Sequence, residues 1–314
     1  MKYVLALHGG AGTISPGTTT DETPYHQGLR DALSAGEAVL AAGGSAVDAV
    51  VATVCALEDC PLFNAGHGAV FNADRQHELD AALMDGQQLT AGAVAGVRRI
   101  RNPILAAREV MRAGRSVLLG GEGADRFAGE RGLEMVDPQY FSTAHRLEQL
   151  LAVQARAGDQ QALDHEGAAQ AKADVHKFGT VGAVALDRHG HLAAATSTGG
   201  MTNKQPGRIG DSPIVGAGVY ANDSSCAVSS TGTGEHFIRA CSAYDIHARM
   251  RYLDQPLETA VDASLADGFG SIGGRGGVIA VDRYGNLSMR FNSTGMYRAW
   301  VQEGDLARSA IFAY

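Results

Sequence analysis

Long apolar runs are missing from this 314-residue chain, and none approaches the ~18 residues that a membrane-spanning helix needs. Charge is sparse as well: 19% of residues are charged, the formal net charge is -8, and the basic residues are scattered. A nucleic-acid binder would gather them into a patch, so neither nucleic acid nor membrane is an expected partner. Cysteine is scarce. Cys55, Cys60, Cys226 and Cys241 form no CxxC pair and no zinc-type spacing, which sets aside disulfide scaffolds and zinc modules. Buried, reduced thiols are expected instead. The opening MKYVLALHGGAGT has one lysine, and its apolar run from Tyr3 meets His8 after five residues. A secretory h-region needs ~7–15 apolar residues, so this run reads as a first strand in a soluble, cytoplasmic protein.

Familiar enzyme signatures are also absent. His8-Gly9-Gly10 after a strand resembles the oxyanion loop of α/β-hydrolases, yet no G-x-S-x-G elbow accompanies it. Ser271 has Phe269 where the first glycine should stand, and Ser197 has Ala195. A tight turn is therefore the expected role of the HGG run. There is no Walker A loop, and His77-Glu78 runs into Leu79-Asp80 rather than toward a second zinc-binding histidine.

Hydrophobic residues, at 45%, are plentiful enough for a sizeable core. Glycine is in excess, 41 residues in 314, about 13% against an ordinary ~7%. Such enrichment predicts many tight turns and close backbone approaches. The length fits one large domain or two ordinary ones.

Periodicity places a strand at Tyr3–Leu7 that breaks at His8-Gly9-Gly10-Ala11-Gly12, then an amphipathic helix over 25–42. Ser45, with Asp48 in capping-box position, opens a buried helix over 46–58. Asn102-Pro103 starts a third helix that Gly114 ends, and helical pattern returns over 123–131 and 143–157. From 157 to the junction at Gly179 the chain lacks a period and reads as a solvated, flexible linker. Strands follow abruptly: GTVGAVALD, a turn at Arg188-His189-Gly190, and HLAAATSTGG. IAVDRYGNL later repeats VALDRHGHL, which Asp-x-x-Gly hairpin chemistry explains without duplication. Helices over 235–252 and 256–266 complete the pattern. Blocks of helices and strands, rather than regular alternation, favour a layered α+β architecture over a doubly wound sheet.

The Gly179-Thr180 junction carries the sharpest chemistry. A threonine opening a strand is most often just a β-branched residue in a suitable place. If the peptide before it is cleaved, however, Thr180 gains an α-amine that can accept its own hydroxyl proton. Thr196-Ser197-Thr198-Gly199-Gly200 ends the hairpin partner and brings hydroxyls beside it. Arg208 and Asp211 share a glycine-flanked loop with Ser212, either as a surface ion pair or as a clamp for a zwitterion. Beside that arginine, Asp211 is expected to titrate near or under the aspartate reference of about 3.9. Ser229-Ser230-Thr231-Gly232-Thr233-Gly234 offers donors for an oxyanion hole or an ordinary helix entry.

GTVGAVALD, TSTGGMTNKQPGRIGDSPIVGAGVYA and STGTGE together resemble the plant-type L-asparaginases and isoaspartyl peptidases of the Ntn-hydrolase superfamily. HGGAG, CPLFNAGHGAVF, HELDAALMDG, AGAVAGVRRIRNP and GMYRAW extend the likeness over nearly the whole chain. The resemblance implies a four-layer αββα sandwich, a single domain over 1–314 made as a precursor that cuts itself between Gly179 and Thr180. The α part is then 1–179 and the β part 180–314. It implies Thr180 as nucleophile, Thr198 and Thr231 as hydroxyl partners, and Thr231, Gly232 and Asn64 around the oxyanion. Arg208, Asp211 and Gly234 would hold the charged ends of the substrate, together with Thr231 and Gly232. No catalytic cofactor is implied, but a structural sodium ion is, on main-chain oxygens of Leu57, Glu58, Cys60, Phe63, Ala65 and His67. His67 stands where the family usually has an aliphatic residue. The implied activity is hydrolysis of β-aspartyl dipeptides and L-asparagine to L-aspartate by a homodimer of processed units. A glycosylasparaginase-like hydrolase and an uncleaved aspartate-binding protein are the alternatives.

Overall fold

Strands whose two faces are both apolar decide the architecture. In the computed structural model, which describes residues 1–12, 21–155 and 179–313, strand β1 (Val4–Gly12) sends Leu5 and Leu7 to one core and Val4 and Ala6 to another. β5 (Val181–Leu186) divides likewise, with Ala183 and Ala185 on the first face and Val184 and Leu186 on the second. A sheet buried on both faces must be covered on both. With β2 (Leu79–Asp85), β3 (Ala91–Val97), β4 (Leu118–Gly120), β6 (Leu192–Thr198), β11 (Gly295–Gln302) and β12 (Arg308–Phe312) they form an eight-stranded sheet in the order β12-β11-β1-β5-β6-β2-β3-β4. A second sheet of four strands runs β10-β9-β8-β7, from β7 (Val219–Ala221), β8 (Cys226–Gly232), β9 (Gly276–Asp282) and β10 (Leu287–Phe291).

Three cores define four layers. Helices α1 (Thr23–Ala41), α2 (Ala46–Asp59) and α3 (Pro103–Ala113) cover the outer face of the large sheet through Leu29, Leu33, Val50, Val54 and Ile104. Helix α4 (Gly121–Glu130) adds Ala124 and Ala128 to the same core, and α5 (Ala144–Ala155) follows in the chain. Between the sheets, Val184 and Leu186 meet Val219, Ala227, Ile279 and Val281. The small sheet's far face packs Val228, Val278 and Ala280 against α6 (Gly234–Ala240), α7 (Ser242–Leu253) and α8 (Leu257–Ala263). This is the αββα sandwich. The hairpin turns work as the sequence requires: Asp187 accepts the His189 and His191 N–H groups, and Asp282 accepts those of Tyr284 and Asn286.

The structure corrects several expectations. The HGG run does not end β1; it continues as strand, with a bulge between His8 and Gly10 in the pairing with β11. The helix expected over 235–252 is two, broken at Cys241, whose φ of 47° no helix sustains. α8 runs on as a wider π-helical turn over Ser264–Gly270. β2 and β3 went unread because their alanines and glycines hide the strand pattern. Of the four free thiols only Cys226 is buried; Cys55 and Cys60 are half-buried and Cys241 is exposed. Most of the expected linker, residues 157–178, lies outside the described residues.

Candidate active site

Strand pairing assembles the hydroxyl cluster. Thr180 precedes β5, and the hairpin register sets Val181 opposite Ser197, which brings Thr198 alongside. Thr180 Oγ1 donates to Thr198 Oγ1 at 3.2 Å, and both residues are buried. Thr198 Oγ1 also accepts the Gly200 N–H at 2.9 Å, which fixes its rotamer. Ser212 Oγ lies 3.4 Å from Thr180 Oγ1. It was legible only as a member of the Arg208–Asp211 loop, since spacing cannot show which residue of a loop turns inward.

Asn64 reaches the same turn. Its Nδ2 donates to Gly200 O at 2.7 Å, and its Oδ1 accepts the Val70 N–H at 2.9 Å. The amide thus braces the Thr198–Gly200 backbone. Thr231, at the end of β8, is buried and accepts the Ala11 N–H at 3.1 Å. Gly232 has a φ of 146°, and a Cβ there would sit 2.3 Å from Arg275 O, so only glycine fits.

Arg208 and Asp211 converge on one glycine. A Cβ on Gly234 would meet Asp211 Oδ1 at 2.8 Å and Arg208 Nη2 at 2.9 Å. Arg208 is half-buried, and its Nε and Nη2 donate to Glu235 at 2.8 and 3.0 Å. That bidentate pair occupies one edge of the guanidinium and leaves Nη1 for another partner. Glu235 went unassigned in the sequence, although STGTGE contains it.

Asp211 departs most from expectation. It is buried, and Oδ2 has no hydrogen-bond partner among the described residues. Burial pushes its carboxyl up to about 7, against the pull of Arg208. The direction is opposite to the expectation because desolvation by burial outweighs the Arg208 guanidinium, with Glu235 adding a smaller push the same way. A buried carboxylate short of hydrogen-bond partners is stabilised by a cation placed beside it.

Gly10 stands against the junction. Its φ is 112°, and a Cβ would lie 2.4 Å from Gly179 N and 2.8 Å from Gly179 Cα. If the chain cuts itself there, as the resemblance implies, Gly10→Ala is expected to displace Gly179 and leave an uncut chain at early times, read on a denaturing gel. Wild-type cleavage kinetics in that variant would remove the contact from the process.

Among the proposed cation-loop residues, His67 N donates to Glu58 O at 2.7 Å and Phe63 N to Cys60 O at 3.3 Å. The His67 ring packs on Tyr140 at 5.1 Å, so its side chain leaves the main-chain path alone. The Glu58 carboxyl is buried, accepts Ser197 Oγ–H at 2.6 Å and Ile104 N–H at 3.1 Å, and has Oε2 without a partner among the described residues. Burial pushes it up to about 8.

A four-layer sandwich with clustered hydroxyls at one strand mouth and a carboxylate–guanidinium pair beside them defines an amidohydrolase of the αββα type. The family model described as asparaginase matches residues 1–311. The isoaspartyl peptidase of Salmonella typhimurium is 54% identical over 313 residues, 99% of this chain and 99% of that protein. That of Escherichia coli is 54% identical, over 99% of this chain and 96% of its own length. The human isoaspartyl peptidase/L-asparaginase is 41% identical over 310 residues, 98% of this chain and 95% of the relative. The chain belongs to the asparaginase family.

Proposed function

We infer that this chain hydrolyses β-aspartyl dipeptides and L-asparagine to L-aspartate, with Thr180 as nucleophile. The observation that carries the site assignment is the Thr180–Thr198 hydroxyl pair at 3.2 Å beside the loop that bears Asp211. In the first reaction Thr180 Oγ attacks the Gly179 carbonyl carbon and the Gly179–Thr180 C–N bond breaks. The acyl group passes to oxygen, and water hydrolyses that ester. A Gly179 carboxylate and a free Thr180 α-amine result. In the second, the same oxygen attacks the substrate's side-chain carbonyl, and the α-amine takes the hydroxyl proton and gives it to the leaving amine. Water then releases aspartate from the acyl-enzyme. Asp211 takes the substrate ammonium on the carboxylate whose Oδ1 faces Gly234, and Arg208 takes the α-carboxylate on the edge that Glu235 leaves. Gly234 lets both approach, Thr198 orients the nucleophile, and Thr231, Gly232 and Asn64 border the developing oxyanion.

The test is a side-by-side assay of ammonia released from asparagine and leucine from β-Asp-Leu, with Arg208→Lys as control. Lysine cannot reproduce a two-point hold on a carboxylate, so KM should rise at least about tenfold on both substrates while self-cleavage proceeds. Blocked self-cleavage in Arg208→Lys would make Arg208 structural.

We further propose a structural sodium ion on the main-chain oxygens of Leu57, Glu58, Cys60, Phe63, Ala65 and His67. An all-oxygen donor set suits a hard cation, and the buried Glu58 Oε2, without a partner among the described residues, is an unsatisfied polar atom beside that loop. The melting temperature should be higher in sodium chloride than in choline chloride of equal strength, and equal values would dismiss the ion. No described helix is long and apolar enough to cross a membrane. The described thiols are free, which supports a cytoplasmic setting, and a homodimer of processed units is the assembly we propose.

A further inference from the structure

His8 is one of the most deeply buried polar groups in the molecule, and the mechanism above does not use it. It follows Val4 and Ala6 on the face of β1 that looks between the sheets. There it closes the apolar inter-sheet layer with a short polar chain. Its Nδ1 lies 2.9 Å from Thr180 O, and its Nε2 lies 2.8 Å from Ser229 Oγ. Ser229 Oγ is in turn 3.0 Å from Thr196 Oγ1. Space for the ring comes from Gly182, where a Cβ would sit 2.6 Å from Nε2 and 2.0 Å from Ser229 Oγ.

Chemistry fixes the direction of this chain. A carbonyl oxygen only accepts, so Nδ1 must carry the proton. Burial pushes the ring's pKa down to about 3, so it is neutral and Nε2 is an acceptor. Ser229 must then donate to Nε2, and the single Thr196 hydroxyl proton is shared between Ser229 Oγ at 3.0 Å and Gly218 O at 3.2 Å. The direction is fixed from Ser229 through His8 to the Thr180 carbonyl.

The sheet explains why a side chain is needed at that point. Pairing of β1 with β5 runs Leu7 to Ala183 and His8 to Gly182, and there it ends. The bulge after His8 lifts the next β1 backbone out of step. The His8 imidazole supplies Thr180 O with the donor that the ladder no longer provides. After cleavage this matters more, because Thr180 loses its covalent neighbour and becomes a chain end, which ordinarily frays.

We propose that His8 is a positioning residue whose Nδ1–H locks the Thr180–Val181 peptide plane, and so aims the α-amine and hydroxyl of Thr180 at the substrate. The inference rests on the reading of Thr180 as nucleophile. It does not touch Arg208 or Asp211, so it separates turnover from binding.

Two variants of similar size test it. The amide nitrogen of His8→Asn falls where Nδ1 was, whereas that of His8→Gln reaches toward the Nε2 position. Turnover is scored per processed molecule, with processing measured by mass spectrometry. His8→Gln and His8→Ala should lose at least about tenfold in kcat, with KM within about twofold of wild type. His8→Asn should recover most of that loss. Equal activity of Asn and Gln variants, or a loss confined to KM, overturns the proposal. A histidine ¹⁵N spectrum of the wild-type processed protein supplies a readout that needs no active variant. The resonance missing from His8→Asn should show a protonated Nδ1 and a bare Nε2, and the opposite tautomer overturns the assignment. Activity surviving in Thr180→Ala would instead dismiss the nucleophile, an outcome that none of the His8 variants can mimic.

Discussion

The Thr180→Ala protein is expected to remain one uncut chain and to release neither ammonia from asparagine nor leucine from β-Asp-Leu. In the proposed mechanism one hydroxyl attacks the chain first and the substrate later, so both activities should vanish together. The Ser212 hydroxyl, 3.4 Å from Thr180 Oγ1, will not take over. It belongs to a residue inside a loop and has no α-amine of its own to take its proton. Removing the nucleophile of a comparable hydrolase costs about 10⁴-fold or more in kcat. Thr180→Ser should retain part of both activities, because oxygen and amine remain and only a methyl is lost. A Thr180→Ala chain that still splits after Gly179 would end the mechanism.

What the sequence disclosed, and what it hid, follows from the range of each interaction. Short-range chemistry was legible. Ser45 accepts the Asp48 N–H at 3.1 Å as the capping pattern requires, and Gly114 closes α3 with a φ of 65°. The Thr180 strand pairs with the strand ending in Thr198, so spacing alone brought the two hydroxyls together. Long-range partners were hidden. His8 meets Ser229, 221 residues away, and no periodicity connects them. Arg208 beside Asp211 pointed to a depressed carboxyl, because nothing in the spacing showed that Asp211 is buried deeply enough for desolvation to win. The HGG run read as a turn, since glycines end most strands, whereas here they permit a bulge and a close approach to Gly179. The layered fold was legible as blocks of helices and strands. The strand order was not, because β1 lies between β11 and β5 in the sheet, an adjacency that only tertiary packing reveals.

The displaced titration of Asp211 gives the second large effect, on the pH dependence of kcat/KM. That quantity reports ionisations of the free enzyme, whereas kcat reports those of the substrate complex. In the free enzyme the Asp211 carboxyl is held up at about 7 by burial. As the pH falls through that value it takes a proton and stops attracting the substrate ammonium. The Thr180 α-amine has a reference pKa of roughly 7.7–8.0, which burial and the nearby Arg208 should lower. It too is lost as base when protonated. Both losses lie on the acid side, so below pH 7 kcat/KM should approach a hundredfold fall per pH unit, about tenfold from each group. Once substrate is bound, its ammonium holds Asp211 ionised, and kcat should show the single tenfold slope of the amine. Asp211→Asn should lower kcat/KM by about a hundredfold or more at neutral pH, because a charged partner is gone. What activity remains should follow the amine's slope alone. A single slope in the wild-type kcat/KM, unchanged in Asp211→Asn, would show that Asp211 is ionised throughout. A kcat/KM flat from about pH 5 to 9 in the processed enzyme would remove the α-amine as well, because no group with its pKa range could then be the base.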